Sequence, residues 1–350
     1  MSARFSPIGL DWSGATACAV QFRRAKKGWA IHAALRAPVG PLTDAESVIR
    51  LHHVLWRHGF EGSDTVLTLP TRGVAATTSA SLSLPPRASG APVDQLARAE
   101  MARVTGRAPE ALELDLWEIP APRRAASGWH VLAVAAPGAE IASRVELFQD
   151  AGLRVIAADA RASALCRAVE SLRSPGADIT IIVELAWDAA HLVAATSDAP
   201  VFERRIDELA ISTLAASVLG VSDERALAQR FAAVAASTDQ DRRAAPDTAV
   251  KLRRLVDTLR AGVRDEIALS ASYLSHQFDR RITRVILAAP APFLEQLEAP
   301  SPLESLRVSD WSTLSISANA GPEQLAPPGA LLAAVGAALH PGAARGKAAA

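Results

Sequence analysis

One pattern occurs twice in this chain and limits its fold more than any other feature. Ile8 to Asp11 is an apolar run ending in an acid, Trp12-Ser13-Gly14 supplies turn chemistry, and Thr16 to Phe22 alternates as a second strand. Arg24 to Gly28 turns again into Trp29 to Leu35. The same order returns with Ile179 to Glu184, a turn over Leu185 to Ala190, a strand His191 to Thr196, a turn at Asp198-Ala199-Pro200 and a strand Val201 to Ile206. Asp11 and Glu184 hold corresponding places. Each copy reads as a three-stranded antiparallel meander, and a sheet with one apolar face must cover it with helices. The expected result is an α/β protein of two related lobes, with the cleft between them as the natural ligand site. At 350 residues the chain also exceeds what one core, which stops growing near roughly 250–300 residues, can organise.

Between the meanders, Asp44 to His58 reads as a helix with Asp44 at its start, and Thr65 to Leu69 as a buried strand. A polar alternating strand, Val74 to Leu84, stops at Pro85-Pro86, and Pro85 to Pro92 forms a loop. A helix over Val93 to Thr105 and strands at Leu112 to Ile119 and His130 to Ala135 follow. Glu140 to Ala151 is a helix closed by Gly152, Leu153 to Ala158 a strand and Ala162 to Leu172 a helix. After the second meander, helices are expected over Glu208 to Leu219 and Ser222 to Ser237, joined by a polar connection, Thr238 to Pro246, to a longer one. Leu252, Leu255, Leu259, Val263, Ile267, Ala271, Leu274 and Phe278 mark that longer amphipathic helix. A strand at Arg284 to Leu287 and a closing apolar helix at Ala330 to Leu339 complete the pattern. The division expected is 1–73 for the first part of lobe I, 74–155 for an inserted α/β subdomain, 156–178 for the end of lobe I, 179–340 for lobe II, and 341–350 as a frayed tail.

Lys and Arg total 37 against 37 for Asp and Glu, so no long-range field favours nucleic acid or an anionic membrane. The longest apolar stretches, such as Leu331 to Leu339, fall short of the roughly 18–20 residues that cross a bilayer. No secretory pattern precedes the first strand, and two cysteines, Cys18 and Cys166, lie among small apolar residues. A cytoplasmic location with buried thiols is expected. His52, His53 and His58 share a helix without the i, i+4 spacing that aims two imidazoles at one metal, and read as solvated. Arg23-Arg24 and Lys26-Lys27 read as solvated hairpin charges, with contact to lipid phosphates as the alternative. Neither Ser13 nor Ser212 has an activating motif, so a hydrolase triad is not expected. Trp12, Trp29, Trp117, Trp129 and Trp187 lie in strand and turn regions and are expected to fill the core or the lobe interface, with Trp12 and Trp187 as reporters of the cleft.

Three stretches resemble the PilM family, actin-like proteins of type IV pilus assembly similar in fold to the division protein FtsA. They are "VLAVAAPGAEIASRVELFQDAGLRVIAADARASALCRA" (131–168), "LARAEMARVTGRAPEALELDLWEI" (96–119) and "RDEIALSASYLSHQFDRRITRVILAAPAPFLEQL" (264–297). The resemblance implies an actin-like, ribonuclease-H-like two-lobed fold with an inserted small subdomain. It also implies a platform component that grips the cytoplasmic tail of a PilN-like bitopic membrane protein and is peripheral to the inner membrane through that partner. Type II secretion platform proteins share the architecture, so either machine fits.

That resemblance further marks a nucleotide site. Actin-like folds hold ATP with two hairpin turns at the phosphates and a Gly-Gly loop against the adenosine, where small residues let backbone amides reach the ligand. An acid in each hairpin positions metal or water. Here Asp11 is kept, but Ser13 stands at the usual Gly, with Gly14 next; Glu184 replaces Asp, Ala186 replaces Gly, and bulky Trp187 follows. The adenosine loop reads Ala288-Ala289-Pro290, and Pro290 removes an amide. After the second meander, Asp207-Glu208 and Glu224-Arg225-Ala226-Leu227 stand where Gly-Gly and Ala-Glu-x-x-Lys are expected. Asp11 reads either as a metal-positioning acid or as an acid that merely closes a strand. These departures point to a scaffold that does not hydrolyse ATP and needs no cofactor. The alternative is an active ATPase or sugar-type kinase that holds Mg-ATP through Asp11 and Glu184.

Overall fold

The computed structural model describes residues 4–26, 28–42, 44–123, 128–174, 176, 178–197, 199–236, 246–318 and 327–341. Lobe I opens with β1 (Ile8–Ser13), β2 (Thr16–Arg24) and β3 (Trp29–Pro38), an antiparallel meander, followed by α1 (Ala45–Arg57) and β4 (Asp64–Thr68). The Asp44 side chain accepts from the Ser47 backbone N–H at 2.8 Å, capping α1. Val48, Leu51 and Leu55 form the buried stripe beneath it, each leucine contributing roughly 1.5–3 kcal/mol of burial. The chain then builds β5 (Thr78–Leu84), α2 (Val93–Thr105), β6 (Leu112–Glu118) and β7 (Trp129–Pro137), which pair as a separate sheet in the order β5-β7-β6. Through α3 (Gly138–Asp150) it returns to the first sheet as β8 (Arg154–Asp159) and enters α4 (Arg161–Ala168).

Lobe II repeats the plan with β9 (Ile179–Leu185), β10 (Ala190–Ala195) and β11 (Pro200–Ile206), then α5 (Ile211–Leu219), α6 (Glu224–Ala236) and α7 (Pro246–Phe278). β12 (Ile282–Ala288), a single turn α8 (Ala291–Leu294) and β13 (Glu304–Arg307) follow. The sheet orders are β14-β3-β2-β1-β4-β8 and β11-β10-β9-β12-β13, so five strands of each superpose in sequence role, and β1 corresponds to β9. The two related lobes expected from the repeat are present.

Three details differ from the sequence expectation. The strand expected from Val74 starts at Thr78, and Val74 is 74% exposed. The helix expected over Glu208 to Leu219 breaks into a 3-10 turn, Asp207–Leu209, before α5. The last elements also do not stay with the second sheet: β14 (Ser317–Ala318) pairs with β3 at Ala30 and Ile31, and α9 (Leu332–Ala338) packs on β1, β2 and α4. Pro246 begins α7, whereas residues 238–245 of the polar connection and residues 342–350 of the tail lie outside the described residues.

Helices α4 and α9, each following the last sequential strand of its lobe, cross between the two sheets. Residues of both, with Val20, Phe22, Ile182, Val193 and Ile286, make one buried cluster that spans the lobes. The crossing is so close that a Cβ on Gly336 would stand 1.7 Å from the Ala164 carbonyl oxygen. At Gly9 a Cβ would meet the Ala334 oxygen at 2.1 Å, which seats α9 directly on β1. Separate cores fill lobe II around β9, β12 and α7, and the outer face of lobe I around Leu10, Leu51 and Phe148.

Candidate functional site

The crevice between the lobes is where the two repeats bring their equivalent strands. β1 delivers Asp11 and β9 delivers Glu184, and both side chains are buried. Between them stands a residue not anticipated from the sequence, Arg161, the first residue of α4. Its Nη2 donates to both Asp11 carboxylate oxygens at 2.7 and 2.8 Å, and its Nη1 donates to Glu184 Oε2 at 2.5 Å. Arg161 is 3% exposed. The only sequence signal for it is a long cation at the start of a helix made otherwise of small residues, two places after Asp159.

One guanidinium thus pairs with an acid from each lobe. Burial pushes the Asp11 and Glu184 carboxyls above their ordinary range, and the pull of Arg161 offsets this only in part. For Arg161, burial draws the pKa down, but Asp11 and Glu184 more than reverse this and hold it above the ordinary arginine value. Asp188 and His191 lie within electrostatic range of the same guanidinium. His191, paired across the strands with Glu184, is fully buried with neither ring nitrogen hydrogen-bonded to protein, and burial holds it neutral, well below the usual histidine range. Thr68 Oγ1, Arg161 Nε and Asp188 Oδ1 are also without protein partners.

The second hairpin turn is tied to α5 and the loop opposite it is covered, whereas Gly14 and Ala15 of the first hairpin turn are exposed. In the first hairpin Gly14 adopts φ 56° in the two-residue turn between Ser13 and Thr16, while Trp12 turns into the lobe I core, its indole N–H donating to the Gly40 carbonyl at 3.0 Å. Trp12 is therefore a core residue and not a cleft reporter. In the second hairpin the Trp187 carbonyl accepts from the Ser212 N–H at 2.9 Å, and that of Ala186 from Ile211 at 3.4 Å. These bonds consume amides at the start of α5 that would otherwise face an anion. Ala288 pairs with Glu184 at the end of β12, and Ala289 is buried beneath the turn Pro328–Ala330. A Cβ on Gly329 would stand 2.9 Å from the Ala289 oxygen.

Among the described residues this crevice holds a cavity of about 30 Å³ lined by Asp11, Thr16, Arg36, Glu184, Trp187 and Gly329, among others. That is the room of one water, against roughly 300–1,000 Å³ for pockets that bury a drug-sized ligand. Of the residues expected at a nucleotide site, the fold gathers Asp11, Glu184, Ala186 and the neighbourhood of Ala288 at this crevice; Ser13 and Gly14 form the adjoining turn.

Further polar ties join the lobes. Glu224 of α6 forms an ion pair with Arg36 of β3 and accepts from Thr16 Oγ1 at 3.2 Å. Arg205 of β11 donates to Thr71 Oγ1 at 2.9 Å. Cys18 and Cys166 are buried free thiols, each pushed up to about 12 by burial, so neither is a nucleophile at neutral pH. His52 bonds the Ala151 carbonyl and His58 that of Val54, and no group of three metal-ligating side chains occurs among the described residues.

No family model matches the chain, and no curated protein matches it in sequence. Solved structures do. A chain of the PilM–PilN type IV pilus biogenesis complex superposes with a TM-score of 0.67 at 16% identity, covering 96% of this chain and 98% of that one. The ethanolamine utilization protein EutJ from Carboxydothermus hydrogenoformans gives 0.45 at 12% identity, covering 97% and 90%. The cytoplasmic domain of EpsL, an inner-membrane component of the Vibrio cholerae type II secretion system, gives 0.42 at 9%, covering 88% and 91%. No described helix is long and apolar enough to cross a membrane. The duplicated sheets, the inserted small subdomain and the end-to-end superposition on the pilus-complex chain together show an actin-like fold of PilM-like build.

Proposed function

We propose that this chain is a nucleotide-independent actin-like scaffold of a type IV pilus or type II secretion platform, binding the cytoplasmic tail of a PilN-like bitopic membrane protein. The observation that carries the nucleotide-free half is the Asp11–Arg161–Glu184 triad. Both acids that would face metal or water already have a permanent counter-cation, supplied by the protein itself. The small cavity and the covered α5 amides support the same reading. The partner half is supported by the near-complete likeness to a chain of a PilM–PilN complex.

In this reading Arg161, Glu224 and Arg205 do what bound nucleotide does in an active relative: they hold the lobes in one fixed relation. The partner then docks on a surface that is always formed. A ligand that binds only the folded state raises stability by RT ln(1 + [L]/Kd). Millimolar Mg-ATP is expected to leave the melting temperature unchanged, while a synthetic PilN-like cytoplasmic tail binds equally well with and without ATP. The second reading, an ATPase or sugar-type kinase, draws on the survival of both acids at equivalent places. It gains if Mg-ATP raises the melting temperature and Asp11→Ala abolishes the shift.

A further inference from the structure

The meander sets a direction in lobe I. Thr16, at the start of β2, lies at the interlobe crevice, and β2 runs roughly 27 Å from there to Arg24. The β2–β3 turn is therefore at the pole farthest from the crevice. The end of α1 arrives at the same pole: Trp56 shares a pocket with Ile8 at the start of β1, and Gln21 Nε2 donates to the Glu61 carbonyl at 2.7 Å.

The pole combines charge and one large bare ring. Trp56 is 75% exposed, the most exposed of the large apolar side chains. Arg4, Arg24, Lys26 and Arg57 are exposed and Arg23 half-buried, and among the described residues none of the five is ion-paired with a carboxylate. The chain brings them from three separate segments, with Arg4 stacked on Phe5 and Arg24 on Trp29. The acids at these element ends are Glu61, Asp150 and Asp64, with Asp64 already held by Arg154, and Asp310 precedes Trp311, whose ring stands 6.5 Å from that of Phe22. The remaining balance among these described residues is five cations against three carboxylates, on a chain whose formal net charge is zero. The charge is thus concentrated here and compensated elsewhere.

We propose that this pole docks on an anionic lipid bilayer, with Trp56 in the headgroup region and Arg4, Arg23, Arg24, Lys26 and Arg57 facing lipid phosphates. Cations gathered at the same pole as an exposed indole match the interface of a bilayer, where tryptophan is favoured and each nearby cation strengthens attraction to anionic lipid. The inference stands apart from the nucleotide and partner reading.

The test uses the purified chain alone, sedimented with phosphatidylcholine vesicles and with vesicles that also contain phosphatidylglycerol. Binding is expected only to the anionic vesicles, weakening as salt rises, and dropping roughly tenfold or more in Arg23→Glu/Arg24→Glu/Lys26→Glu. Trp56→Ala is expected to remove the fluorescence blue shift that vesicles produce. Because Arg24 covers Trp29, the exposed pair Lys26→Glu/Arg57→Glu serves if the triple variant melts early. Absence of binding, equal binding to neutral vesicles, or binding unchanged in both charge-reversal variants overturns the proposal. So does equal or tighter binding to polyglutamate, which assigns the surface to an acidic protein.

Discussion

Deleting the Arg161 side chain tests the crevice directly. In Arg161→Ala, three hydrogen bonds of 2.5–2.8 Å vanish, and two buried carboxylates lose the cation that sits between them. Breaking a buried ion pair by removing one partner costs about 3–5 kcal/mol, mostly because a charge is left unsolvated. The cost is also pH-dependent, with a definite sign. Asp11 and Glu184 already bind protons more readily in the fold than in the unfolded chain, and Arg161 is the influence that restrains them. A raised carboxyl stabilises the fold below its unfolded pKa and loses that contribution as pH rises. Without Arg161 both carboxyls climb further, so the variant's deficit grows with pH, by up to about 1.4 kcal/mol per pH unit for each carboxyl still taking up a proton on folding. Urea unfolding followed by tryptophan fluorescence from pH 5 to pH 8 reads this as a midpoint that falls behind the parent increasingly toward pH 8. The triple variant Arg161→Met/Asp11→Asn/Glu184→Gln is expected to recover most of the loss. A deficit that is constant with pH, or a midpoint equal to the parent's at pH 8, refutes the triad as a buried ion-paired unit.

Other outcomes follow from the same coordinates. Gly336→Ala forces a methyl into the Ala164 carbonyl and is expected to cost at least about 1–3 kcal/mol, read as a lower melting temperature, whereas an alanine at an ordinary mid-helix glycine stabilises. His191 is held neutral in the fold, so the unfolded chain takes up a proton that the native chain does not, and stability falls as pH drops below about 6.5. His191→Gln is expected to flatten that acid limb, which unfolding midpoints between pH 5 and 7 would reveal.

The repeat was legible because a meander announces itself locally: alternation, turn residues and an acid at the same step appear twice within short windows. Asp11 and Glu184 were legible for the same reason, as equivalent ends of equivalent strands. Arg161 was not. Its role depends on two carboxylates that are 150 and 23 residues away, and nothing in its own neighbourhood records them. Glycines that admit a phosphate are visible in a loop sequence, whereas Arg161 lies on the helix behind the loops. β14 was missed because a two-residue strand carries no period, and Trp12 because its partner Gly40 lies beyond the hairpin that contains it. Trp56 lies off the buried stripe of α1, Val48, Leu51 and Leu55, which leaves its ring exposed.

Placing β14 and α9 against β3, β1 and β2 also has a consequence in time. The first lobe's inner face is completed by Leu332 to Ala338, and α4 waits for the helix whose Gly336 fits against it. A ribosome adding roughly 5–20 residues per second takes on the order of 8–30 s to travel from α4 to α9. Through that interval Val20, Phe22, Leu165 and Val169 lack the cover that α9 gives them. The half-built lobe is an apolar sheet face in search of cover, and its natural cover is either its own unfinished end or a chaperone.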